Sequence, residues 1–412
     1  MSGSKSISIS KRMVWEAYQK VRANGGSAGV DEQNIKEFDA NLSGNLYKLW
    51  NRLTSGSYFP PAVKEVEIPK EGGKVRKLGI PTVSDRIAQM VIKALIEPRL
   101  EPIFHSSSFG YRTGKSAHHA LEQAALNCRT YDMVVDLDIQ AFFDEIDHEL
   151  LMKALERHVT ERWILMYVKR WLEAPVQQKD GTLKERTTGT PQGGVISPLL
   201  ANLLLHYCFD QWMQKHFPSL PFERYADDII IHCRTPEQSR YALKQVTQRF
   251  TQCKLRVHPQ KTKIVYCKDS NRNRRSHPEI SFRFLGYTFM PRECQSKNGA
   301  LFHSFTPAIS KEAVKRINDE VKGMKLHSMV HTKLEVIASM LNPKITGWIN
   351  YYSRFRKSAM WKVFYVLNNR LYKWVRWKYK KHRSLYGSIN WLRKVALANP
   401  NLFAHWKHGF AP

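Results

Sequence analysis

The stretch Arg224-Tyr225-Ala226-Asp227-Asp228-Ile229-Ile230-Ile231-His232 sets two adjacent acids between an aromatic and an apolar β-branched run. It predicts a β-hairpin with carboxylates at its turn and a buried strand behind them. A second stretch, Val134-Val135-Asp136-Leu137-Asp138-Ile139-Gln140-Ala141-Phe142-Phe143-Asp144, also runs a buried strand into carboxylates. Two such strands in one chain are what a two-metal phosphoryl-transfer site requires, because paired Mg²⁺ ions need several hard oxygen ligands on rigid elements. An Asp-Asp pair by itself more often only faces water at a turn. The weight therefore comes from what surrounds it.

At 412 residues the chain has room for two or three domains and a sizeable core. Its net charge is +29, unevenly spread: residues 301–412 carry 21 Lys and Arg against four acids, and no acid follows Glu335. Trp348, Trp361, Trp374, Trp377, Trp391 and Trp406 interleave with this charge. An ordinary solvated surface mixes signs, so the pattern points to a polyanionic partner, a nucleic acid. No stretch is long or apolar enough to span a membrane, and no lipidation motif is present, so no membrane partner is expected. The six cysteines lack metal-ligand spacing and the N-terminus is no signal peptide. This predicts reduced thiols in a cytoplasmic protein, in bacterial cytosol or nucleoid.

Along the chain, residues 1–60 read as mainly helical, broken by the glycine-rich Asn24-Gly25-Gly26-Ser27-Ala28-Gly29-Val30-Asp31. Residues 62–82 alternate as a hairpin with a basic tip, which suits either a triphosphate or plain solvent. Asp85 to Leu100 reads as an amphipathic helix. Gly189-Thr190-Pro191-Gln192-Gly193-Gly194 is free of bulk, so a base pair or sugar can come close. It leads into a helical run from Leu199 to Phe209. Phe282 to Phe289 alternates like one arm of a hairpin, and 268–277 reads as a polar loop. A linker is expected near 296–308, with basic helices from about Pro307 onward.

Taken in order, these segments resemble the reverse transcriptase/maturase proteins encoded by group II introns, of the type lacking an endonuclease. The resemblance rests on Asn24 to Asp31, on Lys74-Val75-Arg76-Lys77-Leu78-Gly79-Ile80-Pro81-Thr82 with Asp85-Arg86, and on Ser108-Phe109-Gly110-Tyr111-Arg112. It continues through Asp138 to Asp144, Thr190 to Gly194, Tyr225-Ala226-Asp227-Asp228, Lys261-Thr262 and Phe284-Leu285-Gly286-Tyr287, and ends on Asn342 to Tyr352. No one segment decides the matter; their order does.

The resemblance implies an α+β right-hand polymerase: fingers, a palm with an antiparallel sheet, and an α-helical thumb or maturase domain. The corresponding ranges are 1–130, 131–300 and 301–412. It implies Asp138, Asp227 and Asp228 as catalytic, with Asp138, Ile139 and Asp227 holding two Mg²⁺ ions, for which Mn²⁺ can substitute. Asp136 and Asp144 compete for the first position. Asp138 is preferred because it precedes the double aromatic by four residues. Lys70 and Arg76 match the residues that hold the triphosphate. Phe143 matches the steric gate against a ribose 2′-OH, its alternative being a plain core phenylalanine. Gln192 would lie near the nascent base pair. Lys261 stands where the family places a possible general acid for pyrophosphate, with a structural or template-phosphate role equally open. The expected nucleic-acid contacts of the last domain are Lys344, Trp348, Tyr351, Tyr352, Arg354, Arg356, Lys357, Lys373, Arg376 and Lys380.

The implied activity is RNA-directed DNA polymerisation, in-line attack of a primer 3′-OH on a dNTP. The implied partners are group II intron RNA, a template–primer duplex and target DNA; the oligomeric state is left open. Splicing assistance and target-primed copying of the intron would go with it. The alternatives are a polymerase recruited to host DNA repair or phage defence, and a splicing factor with a dead polymerase, against which the intact acids speak. Lys77 and Gln140-Ala141 depart mildly from the family pattern. The sequence shows no C-terminal DNA-binding region or Cys/His-rich endonuclease, so a primer from replication or elsewhere is expected.

Overall fold

The computed structural model describes residues 7–69, 75–272 and 276–412. It divides into two compact units, one of residues 1–120 with 135–262 and the other of 121–134 with 263–412.

In the first unit, helices Lys11–Asn24, Ile35–Ala40 and Leu42–Thr54 precede an antiparallel hairpin of β1 (Val63–Pro69) and β2 (Val75–Ile80). The glycine-rich break after the first helix has a structural reason. Helix Val83–Leu100, capped by Thr82, sends Arg86 to the carbonyls of Gly25 and Ser27 at 3.0 and 2.8 Å. A Cβ on Gly29 would lie 2.7 Å from the Thr82 backbone, so only glycine fits there.

Strand β3 (Met133–Asp138) opens the palm. Short strands β4 (Val176–Gln177) and β5 (Leu183–Lys184) extend the β1–β2 sheet, β4 pairing parallel with β1. Strands β6 (Phe222–Tyr225) and β7 (Asp228–Cys233) form the expected hairpin, and β7 lies between β6 and β3. Ile229, Ile230 and Ile231 are buried, as an interior strand requires. The run 199–209 is helical throughout; α-helix Ser197–Leu205 passes into a π-helical turn, His206–Asp210.

A buried carboxylate knots this unit together. Asp85 accepts hydrogen bonds from Tyr58 Oη at 2.8 Å, Trp171 Nε1 at 2.6 Å and Gln89 Nε2 at 2.9 Å. Burial pushes its pKa up to about 6 despite these bonds. Asp85→Ala would orphan three buried donors, each costing about 1–3 kcal/mol, and is expected to lower the urea midpoint sharply. The charged form is the disfavoured one in the folded state, so its cost is present above pH 6 and fades toward the unfolded value near 3.8. Wild type should therefore gain on Asp85→Asn by on the order of 2–3 kcal/mol between pH 7 and pH 4, measured as the difference in unfolding free energy.

The second unit carries β8 (Lys263–Tyr266), β9 (Phe282–Phe284), β10 (Tyr287–Gln295) and β11 (Leu301–Ile309). Two sequence expectations change here. Phe282 to Phe289 is a complete tight hairpin: β9 and β10 pair across Leu285-Gly286, both at positive φ, the backbone of a two-residue hairpin loop. The expected linker at 296–308 is mostly strand, because β11 pairs with β10 over nine residues. Helices Lys311–Gly323, Leu334–Tyr352, Trp361–Lys378, Leu385–Ala398 and Ala404–Lys407 follow. Their core includes Trp374, fully buried with Nε1 donating to the Met329 carbonyl at 2.8 Å. His405 is packed against Phe364 and bonded to Asn368, and burial drives its pKa down to about 3. None of the described helices is long and apolar enough to cross a membrane.

Candidate polymerase site

Tyr225 pairs with Asp228, so Ala226 and Asp227 form a two-residue loop. Ala226 takes φ +57°, at the first loop position, where such hairpins call for positive φ. A small side chain eases that conformation, and the backbone of the turn leaves no room beside it: a Cβ on the neighbouring Gly110 would lie 2.5 Å from the Ala226 amide, so only glycine fits at position 110.

What holds the turn is Arg224, wholly buried on β6. Its Nε and Nη2 donate to the two oxygens of Asp210 at 2.7 and 2.6 Å, a bidentate pair with no exposure on either side. Its Nη1 donates to Asn202 Oδ1 at 2.9 Å and to the Ala226 carbonyl at 3.2 Å. Asn202 Nδ2 in turn donates to the Gly110 carbonyl at 2.7 Å. Burial alone would raise the pKa of Asp210; the charge and hydrogen bonds of Arg224 outweigh it and hold the carboxyl below its ordinary value. Beside this network His232 and Glu223, both buried, meet at 2.6 Å.

The strand order brings Asp138, at the end of β3, next to β7 and its two acids. The three carboxyls feel one another. Asp227 is raised first by burial, then by Asp138; Asp228 is pushed up to about 7 by crowding protein, then by Asp227 and Asp138. Asp228 has an open face at the turn, so water screens part of that effect. Asp138 is met by Lys261, whose Nζ lies 3.0 Å from each carboxylate oxygen. Gln140 N–H donates to the Arg256 carbonyl and His258 N–H to the Asp138 carbonyl, so the amide groups of Ile139 point to the opposite edge.

The chemistry of this donor set fits a hard divalent cation: carboxylate oxygens crowded until they repel, with an ammonium already drawn to Asp138. Among the described residues no three His, Cys, Asp or Glu side chains stand together as a finished metal site.

The nucleotide-side residues also meet. Arg76 Nε donates to Gln192 Oε1 at 2.7 Å, and the Gln192 carbonyl accepts from Gly79 N–H at 2.9 Å. A Cβ on Gly193 would lie 2.4 Å from the Gly79 carbonyl, and one on Gly189 2.8 Å from that of Phe143, which is why this loop is glycine-rich. Thr190 N–H donates to Phe143 O, tying the loop to the buried Phe143. Asp144 is bonded to Gln192 and raised by burial, so it belongs to this cluster and not to the β3–β7 acids. Lys70 lies outside the described residues.

The geometry is that of a polymerase palm. The chain belongs to the reverse transcriptase family. The family model for reverse transcriptase (RNA-dependent DNA polymerase) matches residues 68–289, and that for the group II intron maturase-specific domain matches 314–392. This reverse transcriptase is 30% identical to protein YkfC of Escherichia coli (strain K12) over 58% of this chain and 73% of that one. It is 25% identical to the group II intron-encoded protein LtrA of Lactococcus lactis subsp. cremoris, over 67% of this chain but only 54% of LtrA. Telomerase from Candida albicans superposes over 91% of this chain and 67% of its own, at 13% identity and a TM-score of 0.46. Enzymes of this family generally use divalent metal ions and act on nucleic acid.

The predicted contacts of the maturase region divide. Tyr352 is buried and its hydroxyl accepts from Arg316 at 3.1 Å; the ring sits over Gly286. Tyr351 donates to the Leu285 carbonyl at 2.9 Å, and the Tyr287 hydroxyl donates to the Tyr351 carbonyl. Both tyrosines pack on the β9–β10 loop; Tyr352 is buried there, while Tyr351 is half-buried. Lys344 pairs with Glu320 at 2.6 Å and Arg354 with Glu122 at 2.7 Å. Arg376 Nε donates to the Arg383 carbonyl. Lys357, Lys373 and Lys380 are exposed, Trp348 and Arg356 partly so. Trp361 and Trp377 are exposed as well, 45% and 64%, and suit stacking better than the buried Trp374 or Trp406.

Arg224 sits within the acidic stretch with no role expected of it, and Asp210 and Asn202 are not among the expected site residues. Their signal is faint, since Asp210 lies 14 residues before its arginine in a helical run.

Proposed function

We propose that this reverse transcriptase extends a DNA primer on an RNA template, and that its basic helical unit binds structured group II intron RNA, assisting splicing and target-primed copying. The observation that carries the chemistry is that Asp138, Asp227 and Asp228 lie at the ends of the adjacent interior strands β3 and β7, where the carboxyls repel one another. Asp138, Asp227 and the Ile139 carbonyl are the groups that would hold two Mg²⁺ ions, or Mn²⁺ in their place, with Asp228 beside them. When bound, these ions supply positive charge at the primer 3′-oxygen and the leaving pyrophosphate.

The chain's own groups position the reactants. Arg76, braced by Gln192, offers the triphosphate a bidentate fork. Phe143, packed against Phe142 at 5.3 Å between ring centroids, closes the space a ribose 2′-OH would need. Lys261, within reach of Asp138, can turn from that carboxylate to the phosphates once the charge there is neutralised. The intron-binding part rests on the maturase-domain match and the acid-free C-terminal stretch.

That part is tested with a precursor transcript containing a group II intron, incubated at a Mg²⁺ concentration where the RNA alone splices slowly. Ligated exons should appear faster with wild type and equally fast with Asp227→Ala, which removes only polymerase chemistry. Splicing no faster than that of RNA alone would overturn the maturase part of the proposal.

A further inference from the structure

Tyr111 stands beside the acidic turn in an arrangement that neither folding nor the polymerase roles above account for. Its φ is +55°, a conformation bulky residues seldom adopt. The side chain is 56% exposed, so little core packing offsets that strain. Its ring centroid lies 6.3 Å from that of Tyr225, immediately before the Ala226-Asp227 loop. No described residue hydrogen-bonds its hydroxyl.

The loop carrying it is rigid. Phe109 N–H donates to the Arg224 carbonyl at 2.8 Å and Arg224 N–H to the Ser107 carbonyl at 2.9 Å. Asn202 holds the Gly110 carbonyl at 2.7 Å. Arg112 ties down the far side through the carbonyls of His105 and Ser108 and through Glu101. Arg224 and Asn202 thus hold both the acidic turn and the Tyr111 loop, fixing the phenol relative to the carboxylates.

A primer 3′-OH that reaches those carboxylates brings its terminal base pair alongside the two tyrosines. A polymerase must accept every correct pair, so a fixed donor can use only acceptors that all pairs share. Those are purine N3 and pyrimidine O2 on the minor-groove edge. In an A-form duplex that groove is wide and shallow, open to a side chain. We infer that Tyr111 reads the primer-terminal base pair from the minor groove, its ring packing on the sugar edge and its hydroxyl donating to N3 or O2. Mispairs displace these acceptors, so the contact favours extension from correctly paired ends.

The inference rests on the polymerase reading, and its test separates the two. Single-nucleotide incorporation is measured on an RNA template with DNA primers ending in deoxyadenosine or in 3-deaza-deoxyadenosine, which lacks the N3 acceptor. A matching pair of RNA templates carries 3-deazaadenosine opposite the primer end. In wild type, one of the two deaza substitutions should lower kcat/KM roughly 3- to 10-fold, the worth of one neutral hydrogen bond. Tyr111→Phe should show that loss on the natural substrate and no further loss on the deaza one. It should also extend mismatched ends relatively better than wild type does, while its melting temperature stays that of wild type. If wild type and Tyr111→Phe respond equally to both deaza substitutions, the inference falls although the polymerase stands. If wild type extends no primer at all, the polymerase reading falls first and takes this contact with it.

Discussion

Asp138→Asn is expected to lower turnover on an RNA template about 10³-fold or more, with template–primer affinity changed less than about threefold. The substitution keeps the size of the side chain and removes one of three mutually repelling charges. Groups aimed at developing charge in a closed site are each worth about 10²–10³ in rate, and a ligand to a catalytic cation belongs at the upper end. Lys261 sharpens the expectation: it lies 3.0 Å from both Asp138 oxygens and would lose its carboxylate partner at the same time. Pre-steady-state incorporation separates the two effects. A variant that bound template–primer tenfold worse but turned over normally would show that Asp138 grips nucleic acid and takes no part in the chemistry.

The second large effect is on stability. Asp210→Ala is expected to cost about 3–5 kcal/mol, because it leaves the guanidinium of Arg224 buried and uncompensated. That is a large share of the total stability of an ordinary domain, about 5–15 kcal/mol. The folded carboxyl of Asp210 lies below its ordinary value, so the pair's contribution is present at neutral pH and fades as pH falls through the acid range. The double change Arg224→Met with Asp210→Leu should recover much of the loss, since well-packed apolar residues often replace a buried pair without penalty. Activity should not return with it. Without Nη1 on the Ala226 carbonyl the turn loses its side-chain anchor, and Asn202, which holds the Gly110 carbonyl of the Tyr111 loop, loses its own partner. Urea unfolding and primer extension on the same three proteins check both halves.

These two predictions differ in how visible they were beforehand. The acids of the Asp227 turn were legible because a hairpin is local. Alternating strands, a small residue at the tight loop and an isoleucine run show within nine residues. The helix from Val83 and the β1–β2 hairpin were legible for the same reason. Partners far apart in the chain were not. Nothing in local periodicity says that Arg224 meets Asp210 and Asn202, that Lys261 caps Asp138 across 123 residues, or that Gln192 braces Arg76 across 116. The C-terminal quarter misled in a different way. Composition marks it as basic and aromatic, but only packing tells which aromatics face outward. Tyr352, Trp374 and Trp406 are spent on the core, while Trp361 and Trp377 remain outside. Eight of the nine residues of β11 read as a linker, because their polar members hide a strand whose pairing partner β10 is equally mixed.

The most direct measurement is extension of a DNA primer on an RNA template with dNTPs and Mg²⁺, comparing wild type with Asp227→Ala/Asp228→Ala. The account predicts full-length DNA from wild type and none from the variant, with RNA binding equal in both. DNA synthesis by the variant at wild-type rate, or none by wild type while RNA binding stays tight, would contradict it.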